Sequence, residues 1–221
     1  MSELIVSLPT DPGLREAIGD EAGVTFLTWD LDGPAPSERF DLVVPPYWGG
    51  NRQLAQLEGV DTRLVQWQSI GYNGVTKYLP AEVPLANAAT VHETSTAELA
   101  LALTLAAQRG IPEFVRDATE HRWDLRSFPS LADRRVLLIG YGGVSKAIEA
   151  RLAGFEVSIA RLARTAREET NLAGETVVVH GFSELHAQLA QAEIVILAVP
   201  LTDETRGLID AAALAALPDD A

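Results

Sequence analysis

Cysteine is absent from this 221-residue chain, which excludes disulfide bonds and thiolate metal sites and favours a reducing, cytoplasmic location. Long apolar runs are also lacking: none approaches the ~20 residues that span a bilayer, and no basic stretch followed by an apolar one opens the chain. We therefore expect neither a membrane partner nor a signal peptide. Positive charge is scarce, since 17 Lys and Arg face 31 Asp and Glu, for a net charge of −14. An acidic surface repels phosphate backbones, so nucleic acid is not an expected partner.

The length suits two small domains, and hydrophobic residues make up 47% of the chain, enough to build a core in each. In the first half, short apolar segments alternate with polar segments that are compatible with helices. The apolar residues are consecutive, as in parallel strands that are covered on both faces. The predicted strands are residues 4–8, 24–29, 40–44, 64–68 and 85–88. This pattern predicts an α/β domain with a doubly wound parallel sheet over residues 1–95.

In the second half, residues 96–221, strands and helices alternate, and this pattern predicts a Rossmann dinucleotide-binding domain. A helix is allowed between its second and third strands. The predicted strands are residues 135–139, 156–160, 176–180 and 194–199. A domain of this kind normally has six strands, and residues 194–199 are too apolar for a comfortable edge strand. We therefore expect an incomplete domain and a chain that is a fragment of a longer protein, with a naturally short form as the alternative.

A glycine-rich turn follows the strand at residues 135–139, and a helix begins where the turn ends. Gly140 permits the tight turn, and Gly142 lets the backbone approach a diphosphate because it has no Cβ. The small Ser145 allows close packing of helix and strand, and the helix N-terminus offers free amides to the anion. The predicted dinucleotide-binding residues here are Gly140, Tyr141, Gly142, Gly143, Val144 and Ser145.

Cofactor choice depends on the end of the second strand, where proteins that bind NAD place Asp or Glu. In this chain that place falls on Arg161, and Arg164 follows it closely. Guanidinium groups would pair with the 2′-phosphate of NADP, whereas an acidic residue would repel it. We therefore expect NADP(H), with NAD as the alternative. A solvated arginine face in an arginine-rich chain remains the other interpretation of these residues.

A long helix is predicted over residues 95–109, with Thr94 or Ser95 as its cap and Glu98, three residues after Ser95, completing a capping box. From Leu99 to Ala107 the helix is apolar almost all round, so we expect it to be buried between domains or subunits. This helix predicts a homodimer.

Several segments together resemble the D-isomer-specific 2-hydroxyacid dehydrogenases. They occur in the order of that family across about residues 64–221. The segments are Thr96–Leu103, similar to an interdomain helix; Arg122-Trp123, similar to a landmark before the nucleotide domain; Gly140-Tyr141-Gly142; and Pro200–Ile209, similar to the stretch PLTxETxGLI. The resemblance implies a flavodoxin-like substrate domain before the Rossmann domain.

The resemblance also implies roles for individual residues. Backbone amides of a loop that here is Ser69-Ile70-Gly71 would hold a substrate carboxylate, so Ile70 and Gly71 are the predicted contacts. Tyr47 and Trp48, which follow the third strand, are candidates for the wall of the substrate pocket. Thr96 matches a position near the nicotinamide. The positions expected to line the cofactor are Val199, Pro200 and Thr205.

The implied reaction is hydride transfer between NADP(H) and a small 2-oxo or 2-hydroxy acid of the glyoxylate or hydroxypyruvate type. In the family, the Arg, Glu and His that catalyse it follow the stretch that matches Pro200–Ile209. We therefore expect no catalytic residue and no metal ligand among these 221 positions, and no activity from this chain alone. A non-catalytic dinucleotide-binding sensor or scaffold is the alternative function.

Overall fold

The computed structural model describes residues 3–221, which form two compact units that divide between Val91 and His92. The predicted domain boundary after residue 95 lies slightly later, in the first turn of a helix, and residues 1 and 2 of the predicted first domain lie outside the described residues. Among residues 3–221, no helix combines the length and apolar character needed to cross a membrane.

The first unit is built on five parallel strands. Its elements are β1 (Leu4–Leu8), α1 (Pro12–Ile18), β2 (Val24–Thr28), β3 (Arg39–Phe40), β4 (Leu42–Val43), β5 (Asp61–Thr62), β6 (Val65–Gln66) and β7 (Leu85–Ala86), with 3-10 helices at Asn51–Leu57 and Val75–Lys77. The main sheet has the order β2-β1-β4-β6-β7, while β3 and β5 pair separately. Counted within the main sheet, this is the order 2-1-3-4-5 of flavodoxin-like folds, which confirms the prediction.

Local sequence explains how this unit closes. Asp11 accepts a hydrogen bond from Leu14 N at 3.1 Å and caps α1, and Pro12 occupies the first turn of that helix. The connections after β4 and β6 are 3-10 helices, and their apolar residues enter the core. The fully buried core side chains are Phe40, Val43, Leu54, Val65 and Val75.

The second unit has a central sheet of four parallel strands and one antiparallel edge strand. Its elements are α2 (Glu93–Gln108), α3 (Ile111–Thr119), β8 (Arg135–Ile139), α4 (Gly143–Leu152), β9 (Ser158–Ala163), β10 (Arg167–Thr170), β11 (Thr176–Gly181), α5 (Leu185–Leu189), β12 (Ile194–Leu197) and α6 (Ala211–Ala215), with 3-10 helices at Ala153–Phe155 and Phe182–Glu184. The order is β10-β11-β9-β8-β12. Without β10 this is 3-2-1-4, the order of the Rossmann fold that the sequence predicted.

The connection from β9 to β11 differs from the prediction. β9 runs to Ala163 instead of ending at residue 160, and the antiparallel strand β10 takes the place of the helix that was allowed there. A tight turn joins β10 to β11, in which Gly174 has a φ of +84° and donates to Asn171 O. The charged residues of Arg167–Thr170 suit an exposed edge, where charge disfavours further strand pairing.

The long helix α2 packs on α4 but is only partly covered. It begins at Glu93, so the predicted capping box is wrong: Ser95 Oγ donates to His92 O within the first turn. Ala97 is its only fully buried residue, whereas Leu99 is 59% exposed and Leu103 is 62% exposed. The apolar surface predicted for this helix therefore remains largely open within the chain.

Candidate functional site

The glycine-rich turn lies between β8 and α4, at the carboxyl edge of the parallel sheet. Gly140 has a φ of +88°, and a Cβ atom there would lie 2.4 Å from Ala198 O. Both features require glycine, because side chains rarely adopt this φ and the neighbouring backbone leaves no room. The Gly140 amide donates to Leu162 O at 2.7 Å. The turn is thus held against the end of β9 and the residue that follows β12.

Side chains of the protein hold two carbonyl groups of the turn. Ser145 Oγ donates to Gly140 O, and Arg167 Nη2 donates to Tyr141 O at 3.0 Å. Within residues 3–221, no side chain caps the N-terminus of α4. The amides of its first turn therefore remain available to an anion, and the helix dipole adds partial positive charge there.

Gly142 leaves space in front of these amides. A Cβ atom at Gly142 would meet no atom within 4 Å, so any side chain there would fill an otherwise open cradle. On the other flank, a Cβ at Gly143 would lie 2.7 Å from Glu93 Oε1, which places the start of α2 beside the turn. The residues present therefore fit the diphosphate of a dinucleotide, the ligand that a strand–GxG–helix turn binds.

A buried carboxylate lies behind the turn. Glu149 of α4 is only 6% exposed. Its carboxylate accepts four hydrogen bonds, from Tyr141 Oη at 2.6 Å, Arg161 Nε at 2.8 Å, Arg161 Nη2 at 2.7 Å and Asn171 Nδ2 at 3.0 Å. The bidentate geometry of Arg161 gives the strongest type of ion pair. Four donors on one carboxylate join the turn, α4, β9 and the β10–β11 hairpin.

Protonation follows from this arrangement. Burial alone would raise the pKa of Glu149, but the hydrogen bonds from Arg161, Tyr141 and Asn171 outweigh burial and lower it. Burial, together with the hydrogen bond to Glu149, raises the pKa of Tyr141 to about 12. Near neutral pH the carboxylate is therefore ionised and the phenol keeps its proton, so the phenol is the donor.

Arg161, a predicted ligand of the 2′-phosphate, is instead committed to Glu149. The physical reason is the register of β9: Arg161 pairs with Leu138 and the following Leu162 pairs with Ile139, so Arg161 lies within the strand. The position after the strand end, where the ribose is recognised in this fold, falls on Arg164.

Two further arginines follow β9. The Arg164 side chain is 64% exposed and its Nε lies 2.7 Å from Glu204 Oε2. Arg167 bonds the turn itself through Tyr141 O and also pairs with Glu169 at 2.6 Å. Arg164 thus directly follows β9, Arg167 begins β10, and each guanidinium group has a carboxylate partner.

The remaining predicted cofactor residues lie around the same turn or in the loop after β12. Val199 adjoins the turn, because its Cγ1 would lie 2.7 Å from a Cβ at Gly140. Thr205 is buried and its hydroxyl donates to Pro200 O at 2.6 Å, so it holds its own loop together. Thr96 is exposed in the first turn of α2, the helix whose start adjoins Gly143.

The predicted substrate residues lie in loops at the carboxyl edge of the sheet of the first unit. Tyr47 and Trp48 follow β4 and meet edge to face, with ring centroids 4.8 Å apart. Trp48 is 92% exposed. Ile70 and Gly71 follow β6, the strand next to β4. Asn51 links the two loops, since its Nδ2 donates to Asn73 O at 2.7 Å.

The sequence analysis did not identify Glu149 and Asn171 as residues that support the turn, although the position of Glu149 could have indicated it. It lies between the apolar Ile148 and Leu152 on the buried side of α4, where a carboxylate requires a partner. Arg161, twelve residues later, is the cation that satisfies it. Asn171 gave no comparable signal, because its role depends on a hairpin that was not predicted.

Comparisons with known proteins agree with this geometry. Residues 101–221, more than half of the chain, match the family model of the D-isomer specific 2-hydroxyacid dehydrogenase NAD binding domain. The chain is similar to the dehydrogenase efuE of Hormonema carpetanum, at 29% identity over 85% of this chain and 48% of that protein. It is also similar to the glyoxylate reductase of Pyrococcus horikoshii, at 29% identity over 67% of this chain and 46% of that protein.

Among solved structures, a D-isomer specific 2-hydroxyacid dehydrogenase from Xanthobacter autotrophicus Py2 in complex with NADPH and MES is similar at 26% identity. The likeness has a TM-score of 0.73 and covers 97% of this chain and 69% of that one. The chain spans about half the length of the curated relatives it matches. The family model and the geometry of the turn lead to one conclusion: this chain belongs to the D-isomer specific 2-hydroxyacid dehydrogenase family.

Proposed function

We propose that this chain supplies the cofactor- and carboxylate-binding parts of an oxidoreductase that transfers a hydride between NADP(H) and a small 2-oxo or 2-hydroxy acid. The substrate class is that of glyoxylate and hydroxypyruvate. The observation that carries the choice of NADP(H) is Arg164, which is exposed at the end of β9 beside the phosphate turn. The glyoxylate reductase among the relatives supports the substrate class, and the NADPH in the complex of the Xanthobacter protein supports the choice of NADP(H).

The amides at the start of α4 would hold the diphosphate, in the open space that Gly142 leaves. Arg164 would pair with the 2′-phosphate after leaving Glu204. That exchange costs little, because an exposed ion pair contributes about 0–1 kcal/mol. NADPH would supply the hydride. Val199, Pro200 and Thr96 would line its binding site, and Thr205 would keep their loop in shape through Pro200 O.

On the substrate side, the amides of Ile70 and Gly71 would bind the carboxylate, and Tyr47 and Trp48 would form an apolar wall. Recognition by amides suits a small anion because the donors are fixed in the backbone and carry no competing counter-charge. What this chain contributes to the reaction is thus binding and orientation.

The proposal includes a homodimer in the cytoplasm. Leu99 and Leu103 lie one helical turn apart on α2 and are more than half exposed in the single chain. An apolar helix face of this kind is stabilised when a second copy covers it.

The cofactor assignment is tested by replacing Arg164→Gln and measuring the dissociation constants of NADPH and NADH by nucleotide fluorescence. A charge-assisted hydrogen bond contributes about 1.5–3 kcal/mol, so NADPH binding should weaken by about 10- to 100-fold while NADH binding stays unchanged. The matched control is Arg135→Gln, an exposed arginine at the opposite end of β8. Equal losses for both nucleotides, or no loss for either, would contradict the assignment to NADP(H).

A further inference from the structure

The backbone hydrogen bonds that hold the loop at residues 69–73 all run to its carbonyl groups. Each of its five carbonyl oxygens accepts a hydrogen bond from the protein. The pairs are Ala88 N to Ser69 O at 3.1 Å, Asn87 Nδ2 to Ile70 O at 2.9 Å, Trp67 Nε1 to Gly71 O at 2.9 Å, Val75 N to Tyr72 O at 3.1 Å and Asn51 Nδ2 to Asn73 O at 2.7 Å. In the part of the chain that the structure describes, none of the five amides of this loop donates to a protein acceptor.

This asymmetry is what an anion-binding loop requires. A carbonyl oxygen carries partial negative charge, so one that faced an anion would cancel the attraction of a neighbouring amide. When all the carbonyls are held by the protein, only donors remain for a ligand, and they need no rearrangement to bind it. Gly71 is exposed, and a Cβ atom there would meet nothing within 4 Å, so the loop is open at this residue.

Three of the five donors are side chains, and they come from separate segments. Trp67 directly follows β6, Asn87 directly follows β7, and Asn51 begins the first 3-10 helix. All three are half-buried. The two backbone donors, Ala88 and Val75, leave the middle of the loop unheld, and the side chains fill that gap at Ile70, Gly71 and Asn73.

We propose that Trp67, Asn87 and Asn51 are positioning residues for the carboxylate of the substrate. They fix the carbonyls of Ile70, Gly71 and Asn73 so that the amides of the loop face the ligand. This inference rests on the proposed function, which assigns the carboxylate to Ile70 and Gly71. It adds residues that touch no substrate and act only through the loop.

The test uses the full 221-residue chain labelled with nitrogen-15, with glyoxylate as the probe. Titration of the wild-type protein should shift the amide proton resonances of residues 69–73 downfield as the anion binds. Trp67→Phe, Asn87→Ala and Asn51→Ala should each raise the dissociation constant about three- to tenfold. Each should also reduce the downfield shift at saturation, because the amides then point less directly at the anion.

A matched control exists in the same unit. Trp29 Nε1 donates to Gly33 O at 3.1 Å, the same indole-to-glycine bond over the same spacing as in Trp67, but in another loop. Trp29→Phe should lower the melting temperature and leave glyoxylate binding unchanged. The control therefore separates a loss of stability from a loss of positioning.

The possible failures are distinguishable. If wild-type amides respond and the three variants bind glyoxylate as well as the wild type, the positioning role is overturned and the proposed function stands. If Trp29→Phe weakens binding as much as Trp67→Phe, general destabilisation explains the effect and the inference fails. If wild-type residues 69–73 do not respond at all, both the inference and the carboxylate assignment of the proposed function fall, whereas NADPH binding would still support the cofactor assignment.

Discussion

The phenol of Tyr141 donates a hydrogen bond of 2.6 Å to Glu149 Oε2. This bond joins the residue between the two glycines of the phosphate turn to the middle of the helix that follows. Because Arg161 and Asn171 donate the other hydrogen bonds to this carboxylate, the turn rests on a buried ion pair. A buried charge that loses part of its hydrogen bonding is costly, so the turn depends on a residue that its motif does not specify.

Tyr141→Phe should therefore destabilise the second unit while keeping the ring in place. A lost hydrogen bond to a charged group costs about 1.5–3 kcal/mol. Hydrogen exchange of the β8 amides measures this cost, since these central amides exchange only when the unit opens globally. Tyr72→Phe, at an exposed tyrosine of the first unit, is the control and should change nothing. Equal protection of β8 in Tyr141→Phe and wild type would show that the bond does not support the fold.

Replacing the two glycines of the turn should have different effects, on stability for Gly140 and on NADPH binding for Gly142. Gly140→Ala places a Cβ 2.4 Å from Ala198 O at a φ of +88°, so the variant should lose at least ~1–2 kcal/mol of stability. Gly142→Ala places its Cβ in open space, so its stability should stay within ~0.5 kcal/mol of wild type while NADPH affinity falls. Thermal unfolding and nucleotide titration of both variants check the contrast. A stable Gly140→Ala variant, or a Gly142→Ala variant that binds normally, would refute it.

The sequence predicted both parallel sheets and the turn because these depend on local and periodic signals. Consecutive apolar residues and a glycine pair between strand and helix can be recognised without knowledge of the rest of the chain. The end of β9 could not be predicted in this way. Residues 156–163 contain an arginine inside the strand, and polarity at that point resembles a strand end. Arg161 lies inside the strand because it pairs with the buried Glu149 of the facing helix. That contact belongs to the tertiary structure and leaves no local signal in the sequence.

For the same reason, the side chains that hold the loop at residues 69–73 could not be predicted from the sequence. Residues 69–71 were predicted by resemblance, whereas the donors that hold them come from residues 51, 67 and 87. Asn51 and Asn87 bond carbonyls 22 and 17 positions away, and Trp67 bonds one four positions away, so the three donors share no periodic spacing. Isolated Asn and Trp residues in loops are common, so composition alone does not mark these as special.

Glu204 competes with the 2′-phosphate for Arg164, so Glu204→Gln should tighten NADPH binding. The gain is limited to about 0–1 kcal/mol, or up to roughly fivefold in affinity, because the pair is exposed. NADH binding should not change. Asp203→Asn removes the same charge one residue away, and it should leave both nucleotides unaffected if the effect is specific. Titration at two salt concentrations adds a check, since the difference should shrink as salt screens the pair.

Asp41 should make the first unit sensitive to acid. The hydrogen bond from Arg39, together with those from Ile5 N and Arg63, lowers its pKa to about 2. A depressed pKa means that the folded state binds the proton less readily than the unfolded state, whose Asp pKa is about 4. The stabilisation is therefore complete above about pH 4 and is lost as the pH falls towards 2. Tryptophan fluorescence during thermal unfolding should show this decline in wild type and a flatter dependence in Asp41→Asn. Parallel pH profiles would exclude Asp41 as the cause.

The exposed leucines of α2 predict that two copies of the chain associate. Leu103→Glu places a charge on the apolar face, and burying an unpaired charge in an interface costs far more than the leucine contact contributed. Light scattering should give a mass of about twice 23.7 kDa for wild type and about 23.7 kDa for Leu103→Glu. Leu172→Glu is the matched control, because Leu172 is similarly exposed at 64% but lies in the β10–β11 turn. If the dimer survives Leu103→Glu, the interface does not include this face of α2. If Leu172→Glu dissociates the dimer equally, the effect is not specific to α2, because Leu172 lies outside that helix.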